Sequence, residues 1–122
     1  MSNSILIVDD AKFARNIIKK ALTNGGYDNF IEATSAKEAK ELFESQKPEL
    51  TLLDITLTDS SDLSLLEELL KINPQAKIIM NSAIGQDIII ADALKLGAKD
   101  FITKPFVEME FLSVVQHVLE DD

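Results

Sequence analysis

The chain has 122 residues, of which 46% are hydrophobic and 27% charged, and its formal net charge is −9. That length fits one domain with a sizeable core, and the charge opposes binding to nucleic acid or an anionic membrane, since phosphates would be repelled. With no cysteine, disulfides and thiolate metal sites are excluded.

The N-terminus passes from Met1-Ser2-Asn3-Ser4 into an apolar run too short for a signal peptide. No stretch approaches the roughly 20 apolar residues needed to span a bilayer. The expectation is a soluble, cytoplasmic protein whose partners are basic surfaces or a divalent cation.

Ser4 to Val8 reads as a first strand that runs into Asp9-Asp10. From Ala11 to Asn24, Phe13, Ile17, Ile18, Ala21 and Leu22 recur at helical spacing, and Gly25-Gly26 supplies a stop. Asn29 to Ala33 is a short second strand. Ser35-Ala36-Lys37-Glu38 has the capping-box pattern, in which serine and glutamate satisfy free amides at a helix start. The helix it opens turns Ala39, Leu42 and Phe43 inward and ends before Pro48.

Leu50-Thr51-Leu52-Leu53 is a mostly apolar run that closes abruptly in Asp54, as a buried strand delivering one carboxylate would. A helix follows from about Asp62 to Ile72, with Leu63, Leu66, Leu69 and Leu70 on one side, and Asn73-Pro74 breaks it. Ala76 to Asn81 reads as the fourth strand, ending at Ser82-Ala83. Gln86 to Leu96 is a helix closed by Gly97. Lys99 to Thr103 is the fifth strand, running into Lys104-Pro105. Val107 to Leu119 is the last helix, with Phe111, Leu112, Val115, Val118 and Leu119 inward. Five strands alternating with five helices imply parallel pairing in a doubly wound (βα)5 sandwich of three layers.

Ligand chemistry in such a sheet gathers just outside the carboxyl ends of the strands. The ends of strands one, three, four and five would bring Asp9, Asp10, Asp54, Ser82 and Lys104 to one crevice. At about 4 Å and an effective dielectric near 20, each carboxylate pair costs roughly 4 kcal/mol. Folding requires no such arrangement, so it calls for a cation. An all-oxygen site with room for water suits Mg²⁺, and Mn²⁺ would also fit. A cation there would prepare Asp54 as a nucleophile toward phosphorus, with Lys104 and Ser82 taking phosphoryl oxygens.

Each residue also has a plainer reading. Asp9-Asp10 alone fits a helix N-terminus, Lys104 an exposed strand end, Ser82 a strand terminator, and His117 a structural or solvent-facing position. Ile88-Ile89-Ile90 cannot all face inward on a helix, so at least one is exposed, either as a scattered surface residue or as part of a partner-binding face.

Four motifs occur in order: Ile7-Val8-Asp9-Asp10, Leu53-Asp54-Ile55-Thr56, Ser82-Ala83, and the run from Gly97 to Phe106 that contains Asp100-Phe101-Ile102-Thr103-Lys104-Pro105. Through them the chain resembles, along its whole length, a response-regulator receiver domain of the stand-alone, CheY-like chemotaxis type. The resemblance implies a flavodoxin-like sheet of order 2-1-3-4-5. It implies that Asp54 takes a phosphoryl group from a histidine kinase, and that Asp9, Asp10, Asp54 and the Thr56 carbonyl hold Mg²⁺. Lys104 would contact the phosphoryl group, and Lys104-Pro105 would be a cis bond, a form found in only about 5% of X–Pro bonds. Ser82 would move to the phosphoryl oxygen and Phe101 would turn inward. The face made by helix four, strand five and helix five would then change its binding of a downstream protein.

The expectation is one receiver domain over residues 1–122, a monomeric two-component switch without direct nucleic-acid or membrane contact. It would not be an enzyme beyond self-phosphorylation and slow self-dephosphorylation, since apolar Ile84 offers nothing to orient a water. The family pattern has a proline and a glycine where this chain has Thr58 and Asp62, and Asp59 and Asp62 add negative charge beside the site. Two rival functions stand beside this one: a receiver-fold binding module that phosphorylation does not switch, and a phosphohydrolase with an aspartate nucleophile. The latter wants a second acid two residues after Asp54, and Thr56 occupies that position.

Overall fold

The computed structural model describes residues 4–55, 63–83 and 86–120. Aliphatic runs in the sequence become the strands β1 (Ser4–Val8), β2 (Asn29–Ala33), β3 (Leu50–Asp54), β4 (Ile78–Ala83) and β5 (Asp100–Lys104). The amphipathic segments between them become α1 (Lys12–Asn24), α2 (Ala36–Gln46), α3 (Ser64–Ile72), α4 (Asp87–Leu96) and α5 (Glu108–Glu120). All strand pairs are parallel, in the order β2-β1-β3-β4-β5. The fold is therefore the doubly wound, three-layer (βα)5 sandwich of flavodoxin-like order.

Because successive side chains of a strand point to opposite faces, each central strand feeds two cores. Ile5 and Ile7, Leu50 and Leu52, and Ile79 pack with Ile18, Leu22, Phe111, Val115 and Val118 of α1 and α5. Leu6 and Val8, Leu53, and Ile78 and Met80 pack with Phe43, Leu65, Leu66, Leu69, Ile90 and Ala93 of α2, α3 and α4. Every residue of β3 is buried, as expected of the middle strand of a sheet covered on both faces.

The strand and helix limits differ from the sequence expectation where polar residues decide them. β4 begins two residues later than expected and continues through Ser82 and Ala83, because β5 supplies Thr103 and Lys104 as their pairing partners. At the other end, Ala76 donates its N–H to Asn73 and so belongs to a turn. β5 is correspondingly shifted by one residue. The described part of α3 begins at Ser64, and Asp62 lies outside the described residues.

Of the apolar residues at helical spacing in α1, Phe13 is 78% exposed and Ile17 43%. The inward positions of α1 belong to Ile18, Ala21 and Leu22 and to Arg15, whose buried guanidinium takes the side that apolar periodicity would give to its neighbours. Of the isoleucine triplet, Ile90 is buried, Ile89 packs against the core and Ile88 projects into solvent.

The helix ends follow local chemistry. The Ser35 hydroxyl accepts the Glu38 N–H at 3.1 Å, while the Glu38 carboxylate reaches back one residue further than a capping box requires, to the Thr34 N–H at 2.7 Å. Lys47 closes α2 with φ 48°, a left-handed conformation that suits glycine. Replacing Lys47 with glycine relieves the Cβ crowding, at some cost in unfolded-chain entropy. The expected result is a gain of about 0.5–1 kcal/mol in urea unfolding. A lowered midpoint would show that contacts of the lysine stem outweigh the strain.

Candidate metal and phosphoacceptor site

Three acids meet at the carboxyl edge of the sheet. β1 ends at Val8 and hands the chain to Asp9 and Asp10, while β3 ends in Asp54 itself. One carboxylate oxygen from each of Asp9, Asp10 and Asp54 lies within 4.8 Å of the others. Asp9 and Asp54 are buried and Asp10 is exposed, so the cluster has a dry floor and a solvent side. This donor set fits a hard divalent cation that keeps several waters, such as Mg²⁺ or Mn²⁺, better than one that demands nitrogen or sulfur. Among the described residues this is the group of acids that could hold a metal ion.

Lys104, the last residue of β5, reaches across to the cluster. Its Nζ lies 3.1 Å from Asp9 Oδ2 and 3.4 Å from Asp54 Oδ2. Among the described residues, this ammonium offsets the charge of the crowded carboxylates. The peptide bond that follows it, Lys104–Pro105, is cis. Ser82 is fully buried near the end of β4, and its hydroxyl sits 3.5 Å from the Ile102 carbonyl of β5, a long contact. Phe101 is partly exposed on β5. Thr56, whose carbonyl is the fourth expected metal ligand, lies outside the described residues, as do Thr58, Asp59, Asp62 and Ile84.

The turn that carries Asp9 is held from several sides. Asp9 Oδ1 accepts the Ala11 N–H at 2.9 Å, which starts α1. The Asp9 backbone N–H donates to Ala33, and Arg15 Nη1 donates to the Asp9 carbonyl at 2.8 Å. Arg15 Nε in turn bonds Glu32 of β2, whose other oxygen takes Lys19 Nζ at 2.9 Å. Sequence reading did not single out Arg15, Lys19 or Glu32. The available signal was an arginine on the inward side of α1 and a glutamate inside a strand.

Lys19 first, and then Arg15, hold Glu32 below the ordinary carboxylate range through hydrogen bonds to it. A depressed folded-state value stabilises the fold above the unfolded value near 4.5, and that contribution is lost as pH falls through the lower folded value. Glu32→Gln should therefore flatten the acid limb of a stability-versus-pH profile. An unchanged limb would show that the ion pairs carry no net stability.

The described residues thus form a five-stranded parallel α/β sheet with an acid cluster and Lys104 at its carboxyl edge. The chain belongs to the response regulator receiver domain family, whose model matches residues 5–116. It is 44% identical over 106 residues to the chemotaxis protein CheY of Thermotoga maritima, covering 87% of this chain and 88% of that one. It is 40% identical over 119 residues to CheY of Bacillus subtilis, covering 98% and 99%. The receiver domain of NtrX from Brucella abortus superposes with a TM-score of 0.91 at 32% identity, over 97% of this chain and 99% of that one. Receiver domains of this CheY-like kind are signalling switches rather than classical enzymes. They bind Mg²⁺ at an acidic cluster of the sort that Asp9, Asp10 and Asp54 form here. No helix among the described residues is long and apolar enough to cross a membrane.

Proposed function

We propose that residues 1–122 act as one receiver domain, a phosphorylation switch in which Asp54 accepts a phosphoryl group from a histidine kinase. The observation that carries this reading is the placement of Lys104 Nζ on both buried carboxylates, beside three acids within 4.8 Å. An Asp54 oxygen attacks the phosphorus of a phosphohistidine. The new P–O bond forms as the P–N bond breaks, and the imidazole leaves with a proton from solvent. Lys104 exchanges one of its carboxylate contacts for a phosphoryl oxygen, and the Ser82 hydroxyl turns from Ile102 toward another. Asp9, Asp10 and Asp54, with the Thr56 carbonyl, would hold Mg²⁺. When bound, the metal neutralises charge on the phosphoryl oxygens and so lowers the repulsion that an anionic donor meets.

A phosphoryl group adds nearly two negative charges at one point, enough to bias a bistable element. Phe101, half in solvent, turns inward, and the face of α4, β5 and α5 changes with it. Ile88 of α4 and Met109 of α5 are exposed, as is Val107 just before α5. A groove of about 260 Å³ beside β5 is lined by Phe101, Val107, Glu110 and Val114. It suits a downstream protein that presents apolar anchors and basic residues. Chemotaxis is the pathway this reading favours, on the names of the CheY relatives, and the acidic net charge opposes direct nucleic-acid binding. The switch is monomeric and cytoplasmic, and it loses its phosphoryl group slowly by itself.

Intact mass after incubation with acetyl phosphate tests this reading. One phosphoryl adduct is expected with Mg²⁺, none with chelator and none for Asp54→Asn. Turnover of a phosphate monoester would favour the phosphohydrolase instead, and no adduct with rapid quenching would favour the unswitched binding module.

A further inference from the structure

The carboxyl end of β4 carries a backbone donor that the sheet does not use. Across the β3–β4 pair, Ile55 donates its N–H to the Asn81 carbonyl, so the backbone groups of Asn81 face β3. In a parallel ladder the backbone groups of residues two apart point to the same edge. Ala83 N–H therefore also faces the β3 side, two residues beyond the pair of Asp54 with Asn81. Ala83 is paired laterally with Lys104, which itself touches Asp54. The donor is thus aimed at the edge where oxygens added to Asp54 would lie.

A side chain already occupies that donor. Gln86 Oε1 accepts the Ala83 N–H at 2.6 Å. Gln86 is the residue that starts α4: its carbonyl accepts the Ile90 N–H, the first bond of the helix. Its side chain folds back and straps the beginning of α4 to the end of β4. A backbone donor at the end of β4 and the position of α4 are thereby joined through one carboxamide.

We propose that Gln86 is a latch on the switch: its side-chain oxygen holds Ala83 N–H in the unmodified protein and yields it to a phosphoryl oxygen on Asp54. This rests on the reading of Asp54 as the phosphoacceptor. The exchange runs in that direction because a hydrogen bond to an anionic oxygen is roughly twice as strong as one to a neutral amide. Releasing Gln86 frees the first turn of α4, so events at Asp54 reach the α4–β5–α5 face through α4 as well as through Phe101. Gln86 acts here as a positioning residue, since it touches the donor and not the reacting atoms.

Beryllofluoride with Mg²⁺, a mimic of the bound phosphoryl group, supplies the test, with Asp54→Asn as a control. Gln86→Met keeps the length of the side chain and removes the acceptor. Faster hydrogen exchange at the Ala83 amide is expected in the free variant, together with a gain of about 2- to 12-fold in beryllofluoride affinity, the worth of one neutral hydrogen bond. Gln86→Glu keeps an acceptor and adds a charge, so slow exchange and weaker binding than wild type are expected. Wild-type affinity in Gln86→Met, with binding intact, would overturn the latch and leave the acceptor reading standing. Failure of every variant and of wild type to bind would overturn both.

Discussion

Lys104→Met is expected to tighten Mg²⁺ binding by roughly tenfold while slowing phosphoryl uptake at Asp54 by about 10²- to 10³-fold. The opposed signs follow from one contact. Lys104 Nζ lies between Asp9 Oδ2 and Asp54 Oδ2, so it competes with a metal for the same oxygens. A unit pair at such distances is worth about 4 kcal/mol at an effective dielectric near 20. Lys104 keeps about a third of its side chain in solvent, and screening reduces the benefit of removing it toward the 1.4 kcal/mol that a tenfold change represents. In the transfer step the same ammonium meets charge on the phosphoryl oxygens. Loss of one such preorganised donor typically costs two to three orders of magnitude. Calorimetric titration with Mg²⁺ and a time course of intact mass under acetyl phosphate read the two effects separately. Metal affinity that fell along with the rate would mean that Lys104 holds the cluster together instead of competing for it.

The legible part of this molecule was the part written in apolar periodicity and in abrupt chemical changes at strand ends. Leu50–Asp54 and Asn29–Ala33 stand where their sequences place them, because aliphatic runs bounded by turn residues have few alternatives in an alternating α/β chain. The meeting of Asp9, Asp10, Asp54 and Lys104 followed from topology, since parallel strands deliver their carboxyl ends to one edge. What was not legible depended on polar side chains reaching across elements. Arg15 lies on the buried side of α1, while Phe13 and Ile17 lie at the surface and line an apolar groove of about 370 Å³ with Pro105 and Phe106. No count of hydrophobic spacing contains the partners of that guanidinium, the Asp9 carbonyl and Glu32, 17 positions away in sequence. The Gln86–Ala83 bond was equally hidden, because a glutamine three residues beyond a strand has no characteristic pattern.

Phe111→Ala should cost about 3–5 kcal/mol, the largest stability effect expected of a single core truncation here. Phe111 is almost wholly buried between α5 and the sheet, among Ile5, Ile79 and Val115, where a cavity could not collapse without moving two layers. Against a total of about 5–15 kcal/mol for a domain, that is roughly a third or more of the stability at mid-range and nearly all of it at the low end. Phe111 also stacks on Phe106, with ring centroids 4.5 Å apart and planes at 17°. Phe106 follows Lys104–Pro105 directly, so the stack anchors the segment that carries the site lysine. A double-mutant cycle with Phe106→Leu and Phe111→Leu, read by urea unfolding, should return a coupling of about 0.5–1.5 kcal/mol, and each leucine variant should leave a folded domain. If the coupling is present, Lys104→Met and Phe111→Leu should also be non-additive in Mg²⁺ affinity, because both act on where the ammonium sits. A coupling near zero would mean that β5 alone positions Lys104, and that the aromatic pair serves only the core.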